Sequence, residues 1–259
     1  AGLTDVPFHF ALDTGMSRAS LFAQGHDAAM KAAEAAERMS KLSNVKVTGM
    51  YTHFCVADTP DQDEFTAWQL ENYKTVMNYL TEKGLRPETC HTSNSAGILY
   101  HPETQIDMVR EGVILYGMYP DSMPQYGPLK PVMTLKSHVS QVRDFPAGAT
   151  VSYGRTFKGD KPFTTAVVLA GYADGYPRRL SNNTTVTING VRYPQAGRIC
   201  MDMCMVLADK DKVKRGDEVT LIGGNSISWE DAAQKVGTIN YELTCLVTNR
   251  VPRVYINED

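Results

Sequence analysis

From residue 5 to about 116 the chain alternates short apolar runs with long amphipathic stretches. Residues 7–12, Pro7-Phe8-His9-Phe10-Ala11-Leu12, read as a strand, and 27–42 read as a helix because Ala29, Ala33, Ala36 and Met39 recur on one stripe. The unit then repeats. Residues 45–51 are strand-like, and 63–83 place Phe65, Trp68, Val76, Met77 and Leu80 at helical spacing, a pattern of core packing rather than of a cofactor box. Further strands are expected at 88–92 and 106–109 with a short helix between them. Such β/α alternation implies a parallel sheet, in a barrel or a doubly wound fold.

The grammar changes after Gly117. Residues 118–131 carry four prolines and neither periodicity, which divides the chain into domains at 1–117 and 118–259. Beyond that linker, 132–142, 164–170, 184–193 and 218–221 are β-rich, and Asn189-Gly190 supplies a type I′ hairpin turn. Ser228, with Asp231 three positions on, reads as the N-cap of one helix running to about 236. The expected fold class is therefore α/β followed by mostly β.

Composition narrows the setting. With 42% hydrophobic and 21% charged residues the chain can bury one large or two ordinary cores. A formal charge of −3 without a basic run argues against nucleic acid or an anionic membrane surface as partner, and no apolar window is long enough to span a bilayer. Five cysteines are an odd number in a chain too large to need staples, so they read as reduced thiols of a cytoplasmic protein. Cys200 and Cys204 have no second Cys or His pair at a matching interval, which favours two strand cysteines on one face over a metal site.

The chemistry lies in three segments of the second region: Val151-Ser152-Tyr153-Gly154-Arg155-Thr156-Phe157, Gly171-Tyr172-Ala173-Asp174-Gly175-Tyr176-Pro177-Arg178 and Gly197-Arg198-Ile199-Cys200-Met201-Asp202. In order and spacing they resemble the carboxy-terminal domain of alanine racemases. Leu12-Asp13-Thr14-Gly15-Met16-Ser17-Arg18, Tyr51-Thr52-His53-Phe54, Ser93-Asn94-Ser95-Ala96 and Asp107-Met108-Val109-Arg110-Glu111-Gly112 resemble barrel segments of the same family. No segment like Lys-Ala-x-Ala-Tyr-Gly, which carries the family's pyridoxal phosphate lysine, occurs in the sequence. A (β/α)₈ barrel typically takes about 250 residues. The first 117 positions thus resemble the later half of one, and the expectation is the later part of a longer racemase, cleaved, truncated or incompletely represented, whose missing amino-terminal barrel segment is a partner.

The resemblance also implies roles. Racemisation removes an α-proton from one face and returns a proton to the other, so it needs two bases, here a lysine and Tyr153. A phenol is a poor base at neutral pH unless positive charge or a hydrogen-bond relay supports it. His53 would bridge Tyr153 and Arg110, Arg18 would lie by the substrate carboxylate, and a cationic Arg–His network would favour phenolate. Arg110 would face the cofactor's ring nitrogen, while Asn94, Ser95, Gly112, Val113 and Tyr241 would hold its phosphate. The Met201 N–H would serve the substrate carboxylate, and Tyr172 with Tyr241 would narrow the entrance around a small amino acid. A homodimer would share its sites, since Tyr153 and Met201 act on the partner's barrel in this family. Many relatives have a carbamylated lysine seven positions before Arg18, where this sequence has Ala11. A bound chloride, another side chain, or no charge at all are then the alternatives. Implied activities are racemisation of alanine for peptidoglycan, racemisation of serine or a broader substrate range, or a catalytically incomplete fragment.

Overall fold

The computed structural model describes residues 2–120 and 127–256, so 121–126, the middle of the expected linker, lies outside them. Two compact units divide the chain, with residues up to Leu115 in the first and Leu129 onward in the second; Tyr116–Pro120 also belong to the second.

The first unit runs β1 (Val6–Asp13), β2 (Leu21–Phe22), α1 (His26–Ser40), β3 (Val45–Thr52), α2 (Asp63–Glu82), β4 (Thr89–His91) and α3 (Ser95–Tyr100). Its four strands are parallel in the order β2-β1-β3-β4. Alternation along the strands sends Phe10, Leu12, Met50 and Cys90 into one core with α1 and α2. On α1 the buried stripe is Ala29, Ala32, Ala33 and Ala36, small enough for the helix to pack closely. The hydroxyl of buried Tyr73 donates to the Met50 carbonyl at 2.8 Å, which satisfies the one polar atom that α2 brings into this core from that ring.

Two expectations need correction. Residues 106–109 form no strand: the Asp107 amide donates to the Cys90 carbonyl at 3.0 Å, but the Cys90 amide is taken at 2.7 Å by the Asp107 carboxylate, which also accepts from Arg86, so a side chain stands where the strand ladder would need a backbone carbonyl. The buried face of α2 is Thr66, Gln69, Leu70, Asn72, Tyr73, Val76 and Leu80, with Phe65 and Trp68 only half-buried. The inward stripe is displaced because it carries a polar side chain, Gln69, to the strand ends.

The second unit holds β5 (Leu135–Phe145), β6 (Thr150–Val151), β7 (Phe157–Lys158), β8 (Phe163–Val168), β9 (Thr185–Ile188), β10 (Val191–Pro194), β11 (Cys204–Leu207), β12 (Glu218–Ile222), α4 (Trp229–Val236) and α5 (Asn240–Leu246). Six strands form an antiparallel sheet in the order β10-β9-β12-β5-β8-β11, and β6 pairs with β7 separately. A further antiparallel bridge joins Gln195, next after β10, to Val206 on β11, so the two outer strands curl towards each other. Asn189 at φ 52° and Gly190 at φ 78° make the expected hairpin turn. The Ser228 hydroxyl accepts from the Asp231 amide at 3.0 Å, capping α4 as the sequence indicates. Cys204 is in a strand but Cys200 is in a loop, so the two do not share a strand face. All five cysteines are free, and no metal-holding cluster occurs among the described residues.

Candidate active site

At the carboxyl ends of β1 and β3, a buried polar network fixes two loops. Gln69 is completely buried; its amide donates to Thr14 Oγ1 at 3.2 Å and to the His53 carbonyl at 3.4 Å, and its oxygen accepts from the Cys55 amide at 3.2 Å. Thr14 and Thr52 hydroxyls meet at 2.6 Å, and Thr52 donates on to the Leu12 carbonyl. A buried amide without such partners would be costly, so the network sets the loop positions as well as satisfying itself. Asp13 closes the neighbouring turn by accepting from the amides of Gly15 and Ser17 at 3.1 and 2.9 Å, and that turn presents Arg18 at the surface.

Three strand residues on the sheet face opposite the helices organise Arg110. Its Nη1 donates to His91 Nδ1 at 2.6 Å and to the His91 carbonyl, while Nη2 donates to the carbonyls of Thr52 and Thr92 at 2.8 and 3.0 Å. Because Arg110 only donates, His91 Nδ1 must accept, and its Nε2–H then donates to His9 Nδ1 at 3.0 Å. Tyr51 stacks on His91 at 5.3 Å with 8° between rings, and the Arg110 guanidinium lies 5.6 Å from the Tyr51 centroid. Gly49 makes room for the relay: a Cβ there would lie 2.4–2.5 Å from three atoms of the His9 ring.

The charges agree with this geometry. Burial, then Arg110 and His9, push His91 down to about 4, so its imidazole is neutral at pH 7. His53 is also lowered, by burial first and then by Arg110 and Arg18, which brings those three residues into one electrostatic neighbourhood. The lowering disfavours a proton on the His53 imidazole.

These residues fit pyridoxal phosphate. Four Nη protons of Arg110 have acceptors, and none is recorded for Nε among the described residues, which leaves one donor of a group that does not accept. Ser95 Oγ accepts from the Gly112 amide at 2.9 Å, and a Cβ at Gly112 would lie 2.9 Å from that oxygen. The Ser95 hydroxyl proton therefore remains available to an anion, in a cradle open only to glycine. Asn94 is committed to structure: its oxygen caps α3 by accepting from the Gly97 amide at 2.9 Å, and its nitrogen donates to the Phe54 carbonyl. Val113 is buried just beyond.

In the second unit the side chains of interest stand on loops. Tyr153 is 70% exposed and begins a tight turn, with Ser152 before it at φ 66° and ψ −177°, a conformation that side-chain-bearing residues rarely adopt. The Ser152 hydroxyl anchors that turn by donating to the Arg198 carbonyl at 2.5 Å. The Tyr172 and Ala173 amides donate to the carbonyls of Cys200 and Met201 at 3.1 and 3.0 Å, joining two of the signature segments. Gly171 makes the contact possible: a Cβ there would lie 2.2 Å from the Cys200 carbonyl oxygen and 2.3 Å from that of Met201. Among the described residues no acceptor is recorded for the Met201 N–H. Tyr241 is carried by α5, whose start is tied down by Asn240 donating to the Tyr119 carbonyl at 2.9 Å and to Glu230.

The structure thus places Arg18, His53 and Arg110 in one unit and joins the Tyr172 loop to the Met201 loop in the other. Sequence reasoning missed Gln69, His9, His91 and Gly49. A glutamine on an otherwise apolar helix stripe and a glycine inside a strand opposite a histidine were the available signals.

A parallel β/α unit of this kind, followed by an antiparallel β unit, is part of a (β/α)₈ barrel with a separate β domain. The model of the alanine racemase N-terminal domain matches residues 2–120 and that of the alanine racemase C-terminal domain matches 132–255. The alanine racemase of Carboxydothermus hydrogenoformans is 42% identical over 255 residues, covering 96% of this chain and 67% of the relative. That of Clostridium novyi is 43% identical, covering 96% and 64%. The solved alanine racemase of Clostridium difficile 630 superposes with a TM-score of 0.89 at 37% identity, covering 99% of this chain and 66% of that one. The chain belongs to the alanine racemase family, which is dependent on pyridoxal phosphate, and it spans about two thirds of the length of these relatives.

Proposed function

We propose that this chain is the later part of an alanine racemase, acting with a barrel segment that carries the cofactor lysine and as a homodimer whose subunits share their sites. The observation that carries this reading is the Arg110 clamp, in which strand carbonyls and a neutral histidine hold a donor-only group with one N–H to spare. Arg110 would face the ring nitrogen of pyridoxal phosphate, and Ser95, Gly112, Val113 and Tyr241 would hold its phosphate. When bound, the cofactor supplies an electron sink for the substrate's α-carbon. A donor-only arginine facing the ring nitrogen would leave that nitrogen unprotonated and the sink weaker, which would trade rate for fidelity.

The chain's own residues bind, orient and move the proton. Arg18 and the Met201 N–H would hold the substrate carboxylate, and Tyr153 would exchange the α-proton on one face. Neutral His53 would connect that phenol to Arg110, and Tyr172 with Tyr241 would limit the side chain to about a methyl group. Ala11 has no amine to carry a carbamate, and among the described residues Arg18 has no ion pair or side-chain hydrogen bond. A bound anion such as chloride would orient it. Free cysteines at all five positions support a cytoplasmic setting, where D-alanine for peptidoglycan is made.

The test is the racemisation rate of L- and D-alanine, with serine as comparison, by the enzyme that contains this chain. Tyr153→Phe should lower turnover by about 10²–10⁴ with cofactor still bound. A change confined to KM rejects the role of Tyr153, and serine turned over as well as alanine rejects the substrate. Replacing chloride by a bulky anion at equal ionic strength should slow the enzyme; equal rates reject the anion.

A further inference from the structure

The carboxy-terminal segment after α5 lies across the two joined loops of the second unit. Thr248 donates from Oγ1 to the Ala173 carbonyl at 3.0 Å, and Gly175, at φ 94°, admits the Val247 backbone so closely that a Cβ would meet it at 2.6 Å. Arg253 braces the segment against itself, with Nη1 donating to the carbonyls of Thr248 and Val251 and Nη2 to that of Val247. From this support Arg250 reaches both loops at once: Nε lies 2.9 Å from Asp174 Oδ1, and Nη2 lies 2.8 Å from Asp202 Oδ1.

Each carboxylate sits beside a residue of the proposed site. Asp174 is two positions from Tyr172, is 14% exposed, and accepts from the Gly171 amide with its other oxygen at 2.9 Å. Asp202 follows Met201 directly. Arg250 and Asp202 are each about half exposed, at 51% and 52%, so their pairing adds little to folding stability. A planar guanidinium that engages two carboxylates does fix their separation, which a lysine point charge would not.

We propose that Arg250 is a positioning residue that holds the Tyr172 and Met201 loops at a set spacing and so determines how well the substrate carboxylate is received. The substrate part rests on the racemase reading; the loop spacing does not. In the complete enzyme, Arg250→Met and Asp202→Asn should each raise KM for alanine about tenfold with kcat within about threefold. The double variant should be no worse than either single one. Melting should shift by no more than about 3 °C. Amide hydrogen exchange at residues 171–175 and 200–203 should quicken about tenfold in both variants, a readout independent of activity. Lys136→Met removes an ion pair to Glu218 of similar exposure and should alter neither KM nor exchange. Unchanged exchange in Arg250→Met, or the same effects from Lys136→Met, overturns the inference. Faster exchange with unchanged KM overturns its substrate part. Faster exchange in a protein that does not racemise alanine upholds the spacing role and rejects the racemase reading instead.

Discussion

The two units hold their functional groups by different means. In the first, Arg18, His53 and Arg110 depend on side chains held by side chains: Gln69 against Thr14 and the His53 loop, and His91 between His9 and Arg110. In the second, Tyr172 and Met201 depend on backbone against backbone, with carbonyls of 200 and 201 receiving amides of 172 and 173, while the Tyr153 turn hangs from the Arg198 carbonyl by the Ser152 hydroxyl. A buried side-chain network sets direction and charge, and a close-packed loop pair sets position. The first should be sensitive to polar substitutions and pH, the second to added volume at glycine.

The largest break in that comparison is Gly171→Ala. Its Cβ would collide with two carbonyl oxygens that no rotamer can move, and we expect a cost of about 3 kcal/mol or more together with at least a 100-fold loss of turnover. Thermal melting and steady-state kinetics check it; a tenfold loss or less at unchanged stability would show that the loops separate freely. In the other unit Gln69→Leu keeps volume but strands the Cys55 amide and takes a donor from the Thr14 oxygen, which should cost about 2 kcal/mol by denaturant titration. A neutral result would mean that water replaces the amide.

The smallest effect is in pH. The folded pKa of His91 is depressed to about 4 from an ordinary value of about 6.5, so between those values the unfolded chain binds the extra proton. Stability from this group is complete above about pH 6.5 and declines as pH falls towards 4. His53 adds in the same direction. His91→Asn should flatten the dependence in urea titrations across that window, and an unaltered slope would assign it elsewhere.

Much of this was legible in the chain. The β/α order, the β-rich second region, the Asn189-Gly190 hairpin and the Ser228 cap follow from local chemistry, and the segments around Arg18, Arg110, Tyr153 and Met201 follow from resemblance. The misplaced strand at 106–109 shows where local pattern loses: Ile106 and Met108 alternate about Asp107 as a strand should, but Asp107 finds a better partner in the Cys90 amide than in solvent. The unanticipated helix α5 is short and has no side-chain cap, so neither periodicity nor a capping residue announces it. Gln69 and His91 escaped because their meaning lies in partners 55 and 82 positions away.

The Gln195–Val206 bridge has a bearing on self-association. An open antiparallel sheet offers the free amides and carbonyls of its rim to any passing chain, and such rims seed fibrils. Here the outermost strands begin to offer theirs to each other. A β unit that exposes tyrosines and methionines on its loops can then assemble through chosen side-chain contacts while its main chain stays out of the crowd.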